Sequence, residues 1–184
     1  MRFGKRSKAM RIEFNEYMIR GWVTEDAVPI ANYADNKNIW INMRDLFPFP
    51  YKYSDAKAFI KTAKKPGPKS LFAIATSKEA IGGIGLNFQK DVHRYTAEIG
   101  YWLAEPFWGR GIMTNAVNRF SHFAFDTLEL HRIFATPYVY NKASIRVLEK
   151  AGFTNEGRLR ATAFKDGKIV DQLIFAKLKE GLPA

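Results

Sequence analysis

The chain has 184 residues, enough for one domain with a sizeable core, and it is 47% hydrophobic against 26% charged, as ordinary globular proteins are. It has no cysteine, which excludes disulfides, thiolate metal sites and an acyl-cysteine intermediate; His93, His122 and His131 lack ligand spacing, so no metal is expected. The formal charge of +11 favours an anionic partner (nucleic acid, ribosome, acidic protein or phosphorylated cofactor), although a basic solvated surface without a partner reads equally well. No apolar run reaches the roughly 18 residues of a membrane span. No apolar stretch follows the basic start MRFGKRSKAMR, so residues 1–10 read as a basic tail rather than a secretory signal. The expectation is a cytoplasmic protein, away from membranes, with a single domain over residues 11–184.

In chain order, Thr24 offers a cap for a helix to about Asp35, with Pro29 in its first turns. IWINMRDLFPFPY has neither helical nor strand period and reads as a loop. Ser54 offers a cap for DAKAFIKTAKK, and Pro66-Gly67-Pro68 stops it. LFAIAT and AIGGIGLNFQ read as paired strands turning at Ser77 to Glu79. After a polar turn at Asp91 to Arg94, AEIGYWL alternates Ile99, Tyr101 and Leu103 against Glu98, Gly100 and Trp102.

Beyond EPFWGRG, the residues Met113, Ala116, Val117, Phe120, Ala124 and Leu128 fall on one helical face. RIFATPYVY reads as a strand that Pro137 interrupts. Asn141 starts a helix, and Gly152 followed by Phe153 suits a Schellman ending. Strands from Leu159 to Phe164 and Ile169 to Leu178 join through Lys165-Asp166-Gly167-Lys168. The order is two helices, three strands, helix, strand, helix and two strands, a mixed α/β chain around one sheet.

The run Trp108-Gly109-Arg110-Gly111-Ile112-Met113-Thr114 joins a strand to an amphipathic helix. First-turn amides have no internal acceptor, the dipole makes that end positive, and glycines permit close approach, so the turn suits a pyrophosphate. Arg110, Arg119 or Lys142 could meet further phosphates. Two glycines before a helix also describe an ordinary tight turn. Neither a Walker loop nor GxGxxG is present.

The succession EIGYWL, WGRGIMT and RIFATPYVYNKASIRVLEKAGF resembles the GNAT acetyltransferase superfamily. It is most similar to the branch of the ribosomal-protein N-terminal acetyltransferases RimJ and RimL. NMRDLFPFPY and EGRLR at Glu156 to Arg160 extend the resemblance, which covers about Ile19 to Lys179. It implies a single mixed, mostly antiparallel sheet flanked by helices, with a splayed central strand. It also implies acetyl-CoA as co-substrate, bound by the turn Trp108, Gly109, Arg110, Gly111, Ile112, Met113 and Thr114. In the family's turn pattern Trp108, Gly111 and Met113 hold the marked places, and only Gly111 matches strictly. Main-chain groups of Tyr101, Trp102 and Leu103 would pair with the pantetheine arm, and Asn141 would contact it. The family's acid is often a tyrosine on the helix after Asn141. That helix has none here, and Ser144 sits at a similar depth, beside the same arm.

Acyl transfer to an amine needs a neutral amine, a polarised carbonyl and a departing thiolate. A backbone amide near Tyr101 could polarise the carbonyl, worth roughly 10²–10³ in rate. Without cysteine, direct attack in a ternary complex is the natural route. Glu98 is the candidate base, worth roughly 10²–10⁴, or else pairs with an arginine at the sheet surface. An α-amine (pKa about 7.7–8.0) is a far easier target than lysine (about 10.4), which favours a protein or peptide N-terminus. Asn42, Arg44, Asp45, Phe47 and Tyr51 are the expected acceptor contacts. A small amine such as an antibiotic, polyamine or metabolite is the alternative acceptor, and a non-catalytic ribosome- or RNA-binding module is the alternative class. Monomer and homodimer both remain open.

Overall fold

The computed structural model describes residues 10–65 and 70–181. Most of the basic tail and the Pro66-Gly67-Pro68 stop lie outside the described residues. The strands are β1 (Arg11–Phe14), β2 (Tyr17–Arg20), β3 (Leu71–Ala75), β4 (Ala80–Phe88), β5 (Thr96–Leu103), β6 (Arg132–Ala135), β7 (Thr154–Lys165) and β8 (Lys168–Leu178). The helices are α1 (Ala27–Ala34), α2 (Lys37–Trp40), α3 (Tyr53–Ala63), α4 (Ile112–Thr127) and α5 (Lys142–Lys150).

The eight strands form one sheet in the order β1-β2-β3-β4-β5-β6-β8-β7. Neighbours run antiparallel except β5 and β6, which run parallel. The parallel pairing stops early. Thr96, Ala97 and Glu98 face Arg132, Ile133 and Phe134, after which β5 continues beside β4 alone. The expected mixed sheet with a splayed central strand is therefore present.

Each face of the sheet carries a core. On one, Phe120, Val117, Ala116 and Met113 of α4 pack with Phe72, Ile74, Ile99 and Ile19. Phe120 is fully buried, its ring edge-on to Phe72 at 5.5 Å, and such burial is worth about 1.5–3 kcal/mol. On the other face, α1 and α3 cover Trp22, Ala73 and Ala80. The alternation of β5 divides the strand between them: Ile99, Tyr101 and Leu103 belong to the α4 side, and Trp102 to the α1–α3 side.

The α5 ending follows expectation. Gly152 has φ +81°, Phe153 N–H donates to Leu148 O at 3.0 Å, and Gly152 N–H donates to Glu149 O at 3.1 Å. That is the double bond set of a Schellman ending.

Several local expectations need correction. Arg11–Phe14 and Tyr17–Arg20 form a hairpin where the sequence suggested no element, turning through Asn15 at φ +50°. Thr24 does not cap α1; a 3₁₀ turn precedes the helix, and the Asp26 carboxylate accepts from Val23 N–H at 3.0 Å. Ser54 does not cap α3, which starts at Tyr53 with Asp55 accepting from Lys52 N–H at 2.8 Å. β6 ends at Ala135, before Pro137, and β7 begins five residues ahead of Leu159.

Candidate active site

Where β5 leaves β6, a cleft of about 1300 Å³ opens through the sheet. Main-chain groups of Ile99 to Leu103 on the side away from β4 carry no strand. The cleft touches both cores, with Tyr101, Leu103, Met113 and Ser144 on the α4–α5 side and Phe47, Tyr51, Phe59 and Trp102 on the other.

At one end lies the turn into α4. Gly109 and Gly111 take φ +75° and +72°, left-handed values that a side chain resists. Among the described residues, none of the N–H groups from Gly109 to Thr114 donates to a protein acceptor. Unbonded amides at a helix start make a concavity suited to a phosphate. The Trp108 indole N–H donates to Leu103 O at 2.7 Å and ties this turn to the end of β5. Arg110 lies over the Phe107 ring, 5.5 Å from its centre.

On the α5 side, Asn141 caps the helix, its Oδ1 accepting from Ser144 N–H at 3.0 Å. The Ser144 hydroxyl lies 2.9 Å from the Tyr101 phenol oxygen. Burial pushes the Tyr101 phenol far above its usual pKa, partly offset by the bond to Ser144. The Tyr101 phenol therefore stays neutral, and either hydroxyl can be the donor between them. The sequence pointed to this residue only through its backbone; the phenol contact depends on how α5 packs over β5.

On the opposite side stands Glu98, whose side chain is 12% exposed. Oε1 accepts from Thr136 Oγ1 at 2.8 Å and from the Arg44 guanidinium. Oε2 has no protein donor among the described residues. The arginine pairing foreseen as an alternative to catalysis therefore exists, but Arg44 comes from the loop expected to meet the acceptor. That loop also brings Asn42, Phe47 and Tyr51 to the cleft. Phe47 lies tilted against Tyr51, ring centres 4.9 Å apart, and stands edge-on to Trp102 at 5.8 Å. Burial and nearby Asp55 push the Tyr51 phenol up to about 12.

Asp45 stands apart from the other expected acceptor contacts. It does not line the cleft, because its carboxylate receives Lys165 Nζ at 2.9 Å. Lys165, 1% exposed, ends β7 and sits 3.8 Å over the Trp40 ring. Sequence reading missed Thr136 and Gln172. Gln172 Nε2 donates to Thr136 O at 2.6 Å, and Thr136 in turn holds Glu98. Only the parallel register of β5 and β6 brings Thr136 near Glu98, and no local pattern encodes it.

The strand order, the splayed strand and the glycine turn define an acyltransferase of the acetyl-CoA-using class. The chain belongs to the GNAT family, matching the acetyltransferase (GNAT) domain over residues 17–154. It is 39% identical to YdaF of Bacillus subtilis over 98 residues, spanning about half of either chain (53% of each). It is 30% identical to the N-acetyltransferase p20 of Bacillus licheniformis over 165 residues, 88% of this chain and 92% of p20. It is 33% identical to the ribosomal-protein-serine acetyltransferase of Escherichia coli over 112 residues, 61% of this chain and 62% of that one. Among solved structures, RimJ of Mycobacterium smegmatis in complex with CoA-disulfide aligns with a TM-score of 0.78 at 26% identity, covering 91% of this chain and 84% of RimJ. No helix among the described residues is long and apolar enough to cross a membrane.

Proposed function

We propose that this acetyl-CoA-dependent N-acetyltransferase modifies the α-amine at the N-terminus of a protein, by direct attack in a ternary complex. The observation that carries the reading is the division of β5 at the splay, with Glu98 on one face and the Tyr101–Ser144 pair on the other. A relative named for serine acetylation of a ribosomal protein supports a protein acceptor. The ribosome, an anionic assembly, would also suit the +11 charge.

The residues fit acetyl-CoA. Free amides at Gly109 to Thr114 suit its diphosphate, and the strandless edge of Ile99 to Leu103 offers main-chain groups to the pantetheine. Bound there, it supplies the activated acetyl group. Glu98 accepts a proton from the incoming amine, directly or through water, with Oε2 as the free oxygen. Thr136 and Arg44 fix the carboxylate through Oε1. As the nitrogen–carbon bond forms and the carbon–sulfur bond breaks, the Ser144 hydroxyl gives its proton to the departing thiolate and regains one through water from Glu98, which holds the proton taken from the amine. The Tyr101 phenol, 2.9 Å from Ser144 Oγ, orients the serine hydroxyl for that task. A free thiolate has a pKa of about 8.5, so the acid assists rather than commands the step.

The test is release of thiol from acetyl-CoA with three acceptors: a peptide with a free N-terminus, the same peptide with a blocked N-terminus and an internal lysine, and spermidine. The reading expects turnover with the first and at most one-hundredth of it with the others. Turnover on spermidine alone would contradict it.

A further inference from the structure

The α1–α3 face of the cleft has a bare floor. On β5 that face carries Glu98, Gly100 and Trp102, and their β4 partners are Asn87, Gly85 and Gly83. The glycines differ in what replaces their side chains. A Cβ on Gly83 would meet Trp102 Nε1 at 2.9 Å, and one on Gly85 would meet Leu71 Cδ2 at 2.7 Å, so neighbours already fill those places. A Cβ on Gly100 meets nothing within 4 Å. Gly100 is exposed and lies between Glu98 and Trp102, about 6.6 Å along the strand from each. Around it stand the partly exposed apolar side chains of Phe47, Phe59, Leu71 and Trp102.

We propose that the open floor at Gly100 receives the side chain of the acceptor residue that bears the amine, selecting a bulky aliphatic first residue. The inference rests on the N-terminal reading above. An amine held at Glu98 puts its own Cα within one residue's reach of Gly100. A side chain on that Cα then lies over the bare backbone, against Trp102 and Phe47, where apolar burial is favourable. A hydrophobic pocket discriminates roughly 10–200-fold for each methylene it accommodates. The Arg44 and Asn42 side of the loop remains for the rest of the peptide.

The experiment compares two peptides that differ only in the first residue, alanine or leucine, with wild type and Gly100→Val. No positive φ is recorded at Gly100, and valine suits a strand, so the variant should fold. The wild type should favour the leucine peptide in kcat/KM by at least about tenfold. In Gly100→Val, with the Kd for acetyl-CoA measured beside it to register any effect on the neighbouring main chain, that ratio should fall to near one because the leucine reaction loses more than the alanine reaction. Equal kcat/KM for both peptides in the wild type, or equal slowing of both by Gly100→Val, overturns the subsite alone. Acetylation of neither peptide, with acetyl-CoA still shifting the melting temperature, overturns the N-terminal reading and the subsite with it.

Discussion

Replacing Glu98 with glutamine removes the proposed base while keeping its shape. Thr136 and Arg44 can still donate to the amide oxygen. The Arg44 side chain is 63% exposed, so losing the ion pair costs about 0–1 kcal/mol of stability. For a chain of this size that moves Tm by no more than about 2–4 °C. Turnover should fall far more. Loss of a positioned base costs roughly 10²–10⁴ in rate, which is about 2.7–5.4 kcal/mol of barrier. The acceptor can restore part of this. Roughly a tenth of an α-amine is neutral at pH 7, so kcat/KM of the variant should rise about tenfold by pH 9. Thiol release followed from pH 6.5 to 9, beside a melting curve, reads both quantities. A variant within twofold of wild type at pH 7 would refute Glu98 as base.

Gly111→Val places a β-branched residue at φ +72°, a strain of about 1–3 kcal/mol, at the turn proposed to hold the diphosphate. The Kd for acetyl-CoA, measured by calorimetry, should rise at least about tenfold, and an unchanged Kd would remove the turn from the site. Ser144→Ala should lower kcat by about 10² with acetyl-CoA affinity nearly intact, and Tyr101→Phe should show a smaller loss; unchanged turnover in Ser144→Ala removes it from the mechanism. Arg132 holds the Glu156 carboxyl below its usual range by hydrogen bonding, and Ala161 N–H with Arg158 does the same for Asp171. Folded values lower than unfolded ones give stability that is present above the ordinary carboxylate range and lost as pH falls through the folded values. The Tm advantage of wild type over Glu156→Gln should therefore shrink between pH 6 and pH 3, and a constant gap would contradict it.

The middle of the chain was legible because its signals are local. The apolar stripe of Met113 to Ala124 and the Gly152–Phe153 ending each lie within a few turns of one helix. The first hairpin was not, because each strand has four residues and Asn15-Glu16 is a weaker turn signal than Asn-Gly. The start of β7 was hidden for another reason: Thr154 to Arg158 is exposed throughout, so no alternation marks it. In the site, residue types were legible and contacts were not. Arg44 meets Glu98 across 54 residues, and Lys165 draws Asp45 away across 120. Such pairings follow from sheet order, which local patterns do not specify.

The N–H groups from Gly109 to Thr114 have no protein acceptor among the described residues, and the diphosphate of acetyl-CoA is the acceptor proposed for them. Hydrogen–deuterium exchange of the segment 104–120, with and without saturating acetyl-CoA, tests that assignment at the atoms concerned. Exchange at 109–114 should slow markedly on binding. Unchanged exchange there, in a sample whose Tm the ligand has raised, would place the cofactor elsewhere and contradict the account.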